Sequence, residues 1–224
     1  MVISAIRKSI LIILACLFFS VRVGAQDQST ASNISAKDQS IDIIDSIVED
    51  SSRVAIVEYR CICANHLMIV PSIRIRGQVA REPDAVLRLR HALADDPRFT
   101  VHSDEDGVIR IVESGVPQDV LAVRIRQLIL TQMQQYNPGL AISAVLDSPE
   151  VRAYFKKKKI SVPIDIGGLV ALPNDNLPKL NEKMENLAVL DEIKLILHKF
   201  PSLAVYRECI DHSGHRVVAI EFVD

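Results

Sequence analysis

Ser40 closes a polar stretch and is followed by Ile41, Ile44 and Val48, with Ile43 and Ile47 beside them. This three-and-four spacing predicts a short amphipathic helix with Ser40 as its N-cap. Val57 to Cys63 then reads as a strand. A second helix is expected from Ala85-Val86-Leu87 to Asp96-Pro97, followed by a strand from Phe99 to His102. The turn Asp104-Glu105-Asp106-Gly107 and a closing strand from Val108 to Val112 complete a hairpin. Further on, a helix through Ala188-Val189-Leu190 is expected to end near Phe200-Pro201. A strand from Leu203 to Tyr206, a turn from Asp211 to His215 and a closing strand from Val217 to Val223 follow it. Gly107 and Gly214, late in each turn, supply the positive φ that a hairpin turn requires.

The two series match as an internal repeat. Ile73-Arg74-Ile75-Arg76-Gly77-Gln78-Val79-Ala80 aligns with Ile164-Asp165-Ile166-Gly167-Gly168-Leu169-Val170-Ala171, and the same order of elements follows each. The shared unit is strand, helix, strand, turn, strand. Between the halves, Pro117 is read as the start of a helix carrying Val120, Leu121, Arg124, Ile125, Leu128 and Ile129, ending before Asn137-Pro138-Gly139. Ser148-Pro149-Glu150 starts a short helix that closes in Lys156 to Lys159. The expected fold class is α+β, with two related modules at 41–136 and 137–224, mixed sheets, and helices packed on one face.

The N-terminus sets the compartment. Arg7 and Lys8 precede an unbroken apolar run from Ile10 to Phe19, and Val23-Gly24-Ala25 offers small residues before Gln26. That is the pattern of a cleaved secretory signal over 1–25. Ten apolar residues fall short of the roughly 20 that span a bilayer as a helix. Ala15-Cys16 resembles a lipoprotein cleavage site, but Leu14 is large where a small residue is usual. Residues 26–40 are polar and small, so a disordered linker is expected. The exported chain is then soluble, with no second apolar stretch of membrane-spanning length.

Composition removes several classes of function. Without residues 1–25 the chain holds 23 Lys and Arg against 28 Asp and Glu, a formal charge of −5, which argues against nucleic-acid partners. There is no Trp and few aromatics, so stacking platforms for bases or sugars are not expected. No G-x-S-x-G, H-E-x-x-H, C-x-x-C or P-loop is present. No catalytic, cofactor or metal-binding residues are assigned, and no cofactor is expected.

Cysteine is the one residue type that suggests site chemistry. Cys61 and Cys63 share a strand, and Cys209 ends a comparable strand, Val205-Tyr206-Arg207-Glu208-Cys209-Ile210. In an exported protein this predicts a disulfide from Cys209 to Cys61 or Cys63, with one thiol left over. The competing reading is a soft metal site drawn from Cys61, Cys63, His66, Cys209, His212 and His215. Lys156 to Lys159 offer contact with anionic lipid or wall polymers, and equally read as a solvated helix end. Arg74, Arg76 and Arg81 could join in a basic patch.

Residues 68–112 resemble small α/β modules of bacterial envelope proteins: the short N-terminal domain of secretins and TonB-linked receptors, and the BON domain. Ile73 to Val79, the Ala85 to Leu93 helix, Phe99 to Val101, Asp106-Gly107 and Val108 to Val112 carry the resemblance, and 164–223 follows it more loosely. The resemblance implies a non-catalytic role in the periplasm, docking envelope proteins or an anionic envelope surface. The alternative is a hydrolase of wall or lipid substrates with an unfamiliar site.

Overall fold

The structure is a computed structural model that describes residues 40–64, 67–69, 73–76, 82–162, 177–211 and 213–223. The expected signal and most of the linker lie outside them, as do His66, Arg81, His212 and the segment 164–171.

Ser40–Asp224 form one compact unit. Helix α1 (40–50) opens it, with Ile44, Ile47 and Val48 fully buried as their spacing predicts. β1 (Ala55–Ala64) follows and pairs at its far end with β2 (Leu67–Ile69). α2 (Ala85–Ala92) is capped by Asp84, whose carboxylate accepts from the N–H groups of Val86 and Leu87 at 2.7 and 3.2 Å. β3 (Phe99–Ser103) and β4 (Ile109–Glu113) form the first hairpin, and Gly107 sits at φ +85° in its turn. The second half contributes α6 (Val189–Lys199), then β8 (Leu203–Asp211) and β9 (Arg216–Val223). Their turn holds Gly214 at φ +78°, and Asp211 accepts from the N–H groups of Ser213 and His215, each at 2.8 Å.

A single sheet runs across the two halves in the order β3-β4-β1-β8-β9-β6, with β6 (Ile160–Ser161) at one edge and β2 appended to β1. β1 is parallel to β4 on one side and to β8 on the other, and β8 and β9 are antiparallel. The boundary expected near Asn137 therefore separates elements that share one sheet. Of the repeated octapeptides, only 73–76 are described, and they carry no regular structure.

Helices cover both faces of this sheet, not one. On one face Ala55, Val57, Tyr59, Leu203 and Val205 pack against α1 and α2. On the other Ile56, Ala204 and Tyr206 pack against α4 (Pro138–Leu146), α5 (Pro149–Lys158) and α6. The cause is visible in the strands: β1 is buried without interruption from Ala55 to Tyr59, and β8 from Leu203 to Cys209, so each central strand must be covered on both sides.

A second correction concerns residues 117–136. Only one turn forms near Val120, after which Arg124–Ile129 is a strand, β5, and the helix α3 is confined to Gln132–Tyr136. β5 pairs antiparallel with β7 (Lys183–Ala188) as a separate two-stranded ribbon. Ile125 and Leu128 are buried in the strand, and pairing with β7 selects it over the helix their spacing suggests.

Candidate functional site

Cys61 and Cys209 are register partners on adjacent parallel strands, and a disulfide joins them with Cα atoms 4.2 Å apart. Both are buried on the face covered by α1 and α2. One step down the ladder, Tyr59 pairs with Arg207, whose guanidinium lies 5.9 Å from the Tyr59 ring centre and forms an ion pair with Glu221. Burial pushes the Tyr59 hydroxyl up to about 12. Cys63 is the register partner of Asp211 and Met68, one strand repeat beyond the bridge.

The bridge also decides how many soft ligands remain. Two of the six residues in the competing metal set are committed to each other, and His66, His212 and the Cys63 side chain lie outside the described residues. His215 instead meets the Ser161 hydroxyl at 2.7 Å. Among the described residues no group of three His, Cys, Asp or Glu could hold a metal ion.

The opposite face carries two linked sets of charged groups. Arg110 donates through Nε to Glu58 and through Nη2 to Gln118 Oε1 at 3.0 Å, while Gln118 Nε2 donates to Glu58 Oε2 at 2.6 Å. Glu58 has zero exposure, so this closed triangle is what keeps its carboxylate tolerable in the interior. The next residue, Asp119, belongs to the second set. Arg216 reaches Asp119 through Nη1 and Nη2 at 3.0 and 2.7 Å, and Glu208 through Nε at 2.6 Å. Tyr206 donates to Glu208 at 3.0 Å, and Tyr154 on α5 donates to Asp119 at 2.6 Å. The Arg216 hydrogen bonds hold the Asp119 carboxyl down at about 2.

Lys194 on α6 extends the first set, with Nζ 2.5 Å from Asp104 and 3.1 Å from Asp106. With Ser103 and Glu105 these groups line an open depression beside the β3–β4 turn. Lys194 thus ties two of the turn's three carboxylates, and no calcium-like carboxylate cage forms among the described residues.

Of these groups the sequence marked only the acidic turn Asp104-Glu105-Asp106. For the others the only local sign is a charge within strand β1 or β8, Glu58 in Val57-Glu58-Tyr59 and Glu208 in Arg207-Glu208-Cys209. Of the three arginines of the expected basic patch, Arg81 lies outside the described residues and Arg76 is held by Asp95 at 2.7 and 2.8 Å. Lys156 to Lys159 are all exposed at the end of α5, where Lys159 adopts the left-handed cap at φ 56°. Beyond the helices, the register partners Ile62 and Ile210 stand 63% and 44% exposed at one end of the sheet.

Glu192 on α6 is a different case. It has zero exposure, and neither carboxylate oxygen has a hydrogen-bond partner. Burial, reinforced by the Asp191 charge, pushes its carboxyl from 4.5 up to about 7. The folded state then holds a proton that the unfolded state has lost, so the stability linked to Glu192 is full below pH 4.5 and falls as pH rises through 7. The loss above that window is about 3 kcal/mol at 1.36 kcal/mol per unit. Glu192→Gln is expected to remove this slope. Urea unfolding at pH 5 and pH 8 measures it, and an equal slope in wild type and variant would show that the carboxyl is not the cause.

Comparison with protein-family models, with curated proteins and with solved structures finds no match for this chain. Among the described residues no helix is long and apolar enough to cross a membrane.

Proposed function

We propose that this chain is an exported, non-catalytic protein of the periplasm or cell exterior that docks partners of the cell envelope. The observation that carries the reading is the division of its polar groups. Glu58, Glu208 and Asp119 are each committed to a guanidinium group, and Glu192, which is not, has zero exposure and cannot meet a substrate. What stands open to solvent is contact surface: the Ile62 and Ile210 pair and the lysines after Phe155.

Two further features support export. The N-terminal apolar run has the length and flanks of a signal. A disulfide between central strands suits an oxidising compartment, where such bridges persist. The resemblance of 68–112 to envelope modules favours docking over chemistry.

The test is photo-crosslinking in intact cells, with a photoreactive residue at Ile62, Ile210 or Lys157 in turn. Discrete adducts in the envelope fraction are expected from at least one position. If all three positions give only uncrosslinked protein, or the adducts are cytoplasmic, the reading is wrong.

A further inference from the structure

We propose that the lysine-rich end of α5 is a contact surface for an anionic lipid bilayer, an inference that rests on the export-and-docking reading above. Of the chain's 26 Lys and Arg residues, Arg152 and Lys156 to Lys159 fall between Val151 and Pro163, a stretch that holds none of its 28 Asp and Glu. Many cations elsewhere in the described chain meet a carboxylate, and others such as Arg53, Arg90 and Arg124 bond backbone carbonyls. Arg76, Arg88, Arg98, Arg110, Arg126 and Lys194 each meet a carboxylate, and Arg152 meets Asp147 at 2.9 Å. No carboxylate among the described residues meets Lys156, Lys157, Lys158 or Lys159, and all four are exposed.

The helix dipole gives a partial reason for lysines here, since cations favour the last turn of a helix. It does not require four in succession. The helix end is also held firmly in place. Val151 and Phe155 are buried, the Tyr154 hydroxyl bonds Asp119 at 2.6 Å, and Lys158 lies 5.9 Å from the Tyr154 ring centre. Directly after the cap, Ile160 and Ser161 are tied to β9. Four ammonium groups are thus carried on a fixed edge of the fold.

The chemistry of the groups selects the partner. Lysine is a compact, strongly hydrated point charge on a flexible stem, without the planar fork that grips one carboxylate or phosphate in two places. All four are exposed to solvent, so none is fixed in place around a single bound anion. A plane of anionic headgroups fits it: each lysine near such a surface contributes independently, and the gain decays within a Debye length of about 10 Å at 0.1 M salt.

Vesicle sedimentation tests this with the chain without residues 1–25, which the export reading removes, and vesicles of phosphatidylcholine, with or without 30% phosphatidylglycerol, in 20 mM and 500 mM NaCl. Leaving off the apolar run of 10–19 keeps hydrophobic insertion from masking the lysines. At about fivefold per lysine, Lys156→Gln/Lys157→Gln/Lys158→Gln/Lys159→Gln is expected to lower partition onto the anionic vesicles by at least about 100-fold. Replacing the four by Arg should keep binding within about threefold, and 500 mM NaCl should abolish it. Should the fourfold Gln variant fail to fold by circular dichroism, Lys157→Glu is read in its place, with an expected loss of about 25-fold.

Anionic-vesicle binding that is absent at low salt, equal on neutral vesicles, or unchanged in the variant overturns the proposal. Binding to an anionic wall polymer but not to vesicles overturns it as well. Persistent adducts at Ile62 or Ile210 beside a failed vesicle result leave docking standing and remove only the lipid. Loss of both removes both.

Discussion

Replacing Cys209 with Ala is expected to lower the unfolding free energy of the oxidised protein by about 5 kcal/mol, a third or more of the roughly 5–15 kcal/mol typical of native proteins. The bridge to Cys61 closes a loop with a sequence separation of 148, and the cost of closing a loop grows with the logarithm of its length. In the unfolded chain the bridge removes a large share of the accessible conformations; in the folded chain it joins residues that the sheet already pairs. The fold is therefore expected to survive the substitution with its strands intact and its margin cut. Urea unfolding of wild type, of wild type under a phosphine reductant, and of Cys209→Ala measures this, and the last two should agree within about 1 kcal/mol. Thiol counting on the denatured, unreduced protein without residues 1–25 should find one thiol, that of Cys63. Three thiols, or a variant as stable as wild type, would show that the bridge does not form.

The pairing of these cysteines was partly legible because strand and residue type are local properties. Val57 to Cys63 and Val205 to Ile210 read as strands, both carrying Cys-Ile near their ends, and neighbouring positions in one sheet followed as a reasonable expectation. The helices at 40–50, Ala85–Ala92, Pro149–Lys158 and Val189–Lys199 were legible for the same reason: caps, prolines and three-and-four spacing act within one element. What depends on a distant partner was not. Ile125, Leu128 and Ile129 satisfy helical spacing, and only pairing with 183–188 makes them a strand. β7 itself, Lys-Met-Glu-Asn-Leu-Ala, has little strand character, and Asn186 sits at φ 56° within it. The cover on both faces of the sheet was hidden because a strand buried on two sides shows no alternation. The charged sets failed for a third reason: Glu58 and Arg110 are 52 residues apart, and Asp119 and Arg216 97. A buried carboxylate is visible in sequence only through its counter-ion, and nothing local names that counter-ion.

Arg216→Met is expected to cost about 3–5 kcal/mol, the range found when one partner of a buried ion pair is removed. The magnitude comes from what is left behind. Glu208 has zero exposure, and its carboxylate would keep only the Tyr206 hydroxyl at 3.0 Å after losing two guanidinium contacts at 2.6 and 3.0 Å. Asp119, held down at about 2 by the same guanidinium, would lose its main partner but can turn to solvent, so it contributes less. A second substitution separates the stranded charge from lost packing. Glu208→Gln in the Arg216→Met background removes the charge while keeping the shape and the Tyr206 hydrogen bond, and should restore at least about 2 kcal/mol. The pH dependence gives an independent reading. Asp119 has a depressed folded value, so its stabilisation is full above 3.8 and is lost as pH falls through about 2. Wild type should therefore lose stability over that acid range more steeply than Arg216→Met does. Urea unfolding at pH 7 and pH 3 supplies all of these comparisons. If Arg216→Met costs under about 1 kcal/mol at pH 7 and the second substitution recovers nothing, the network does not hold Glu208 in the way its geometry indicates.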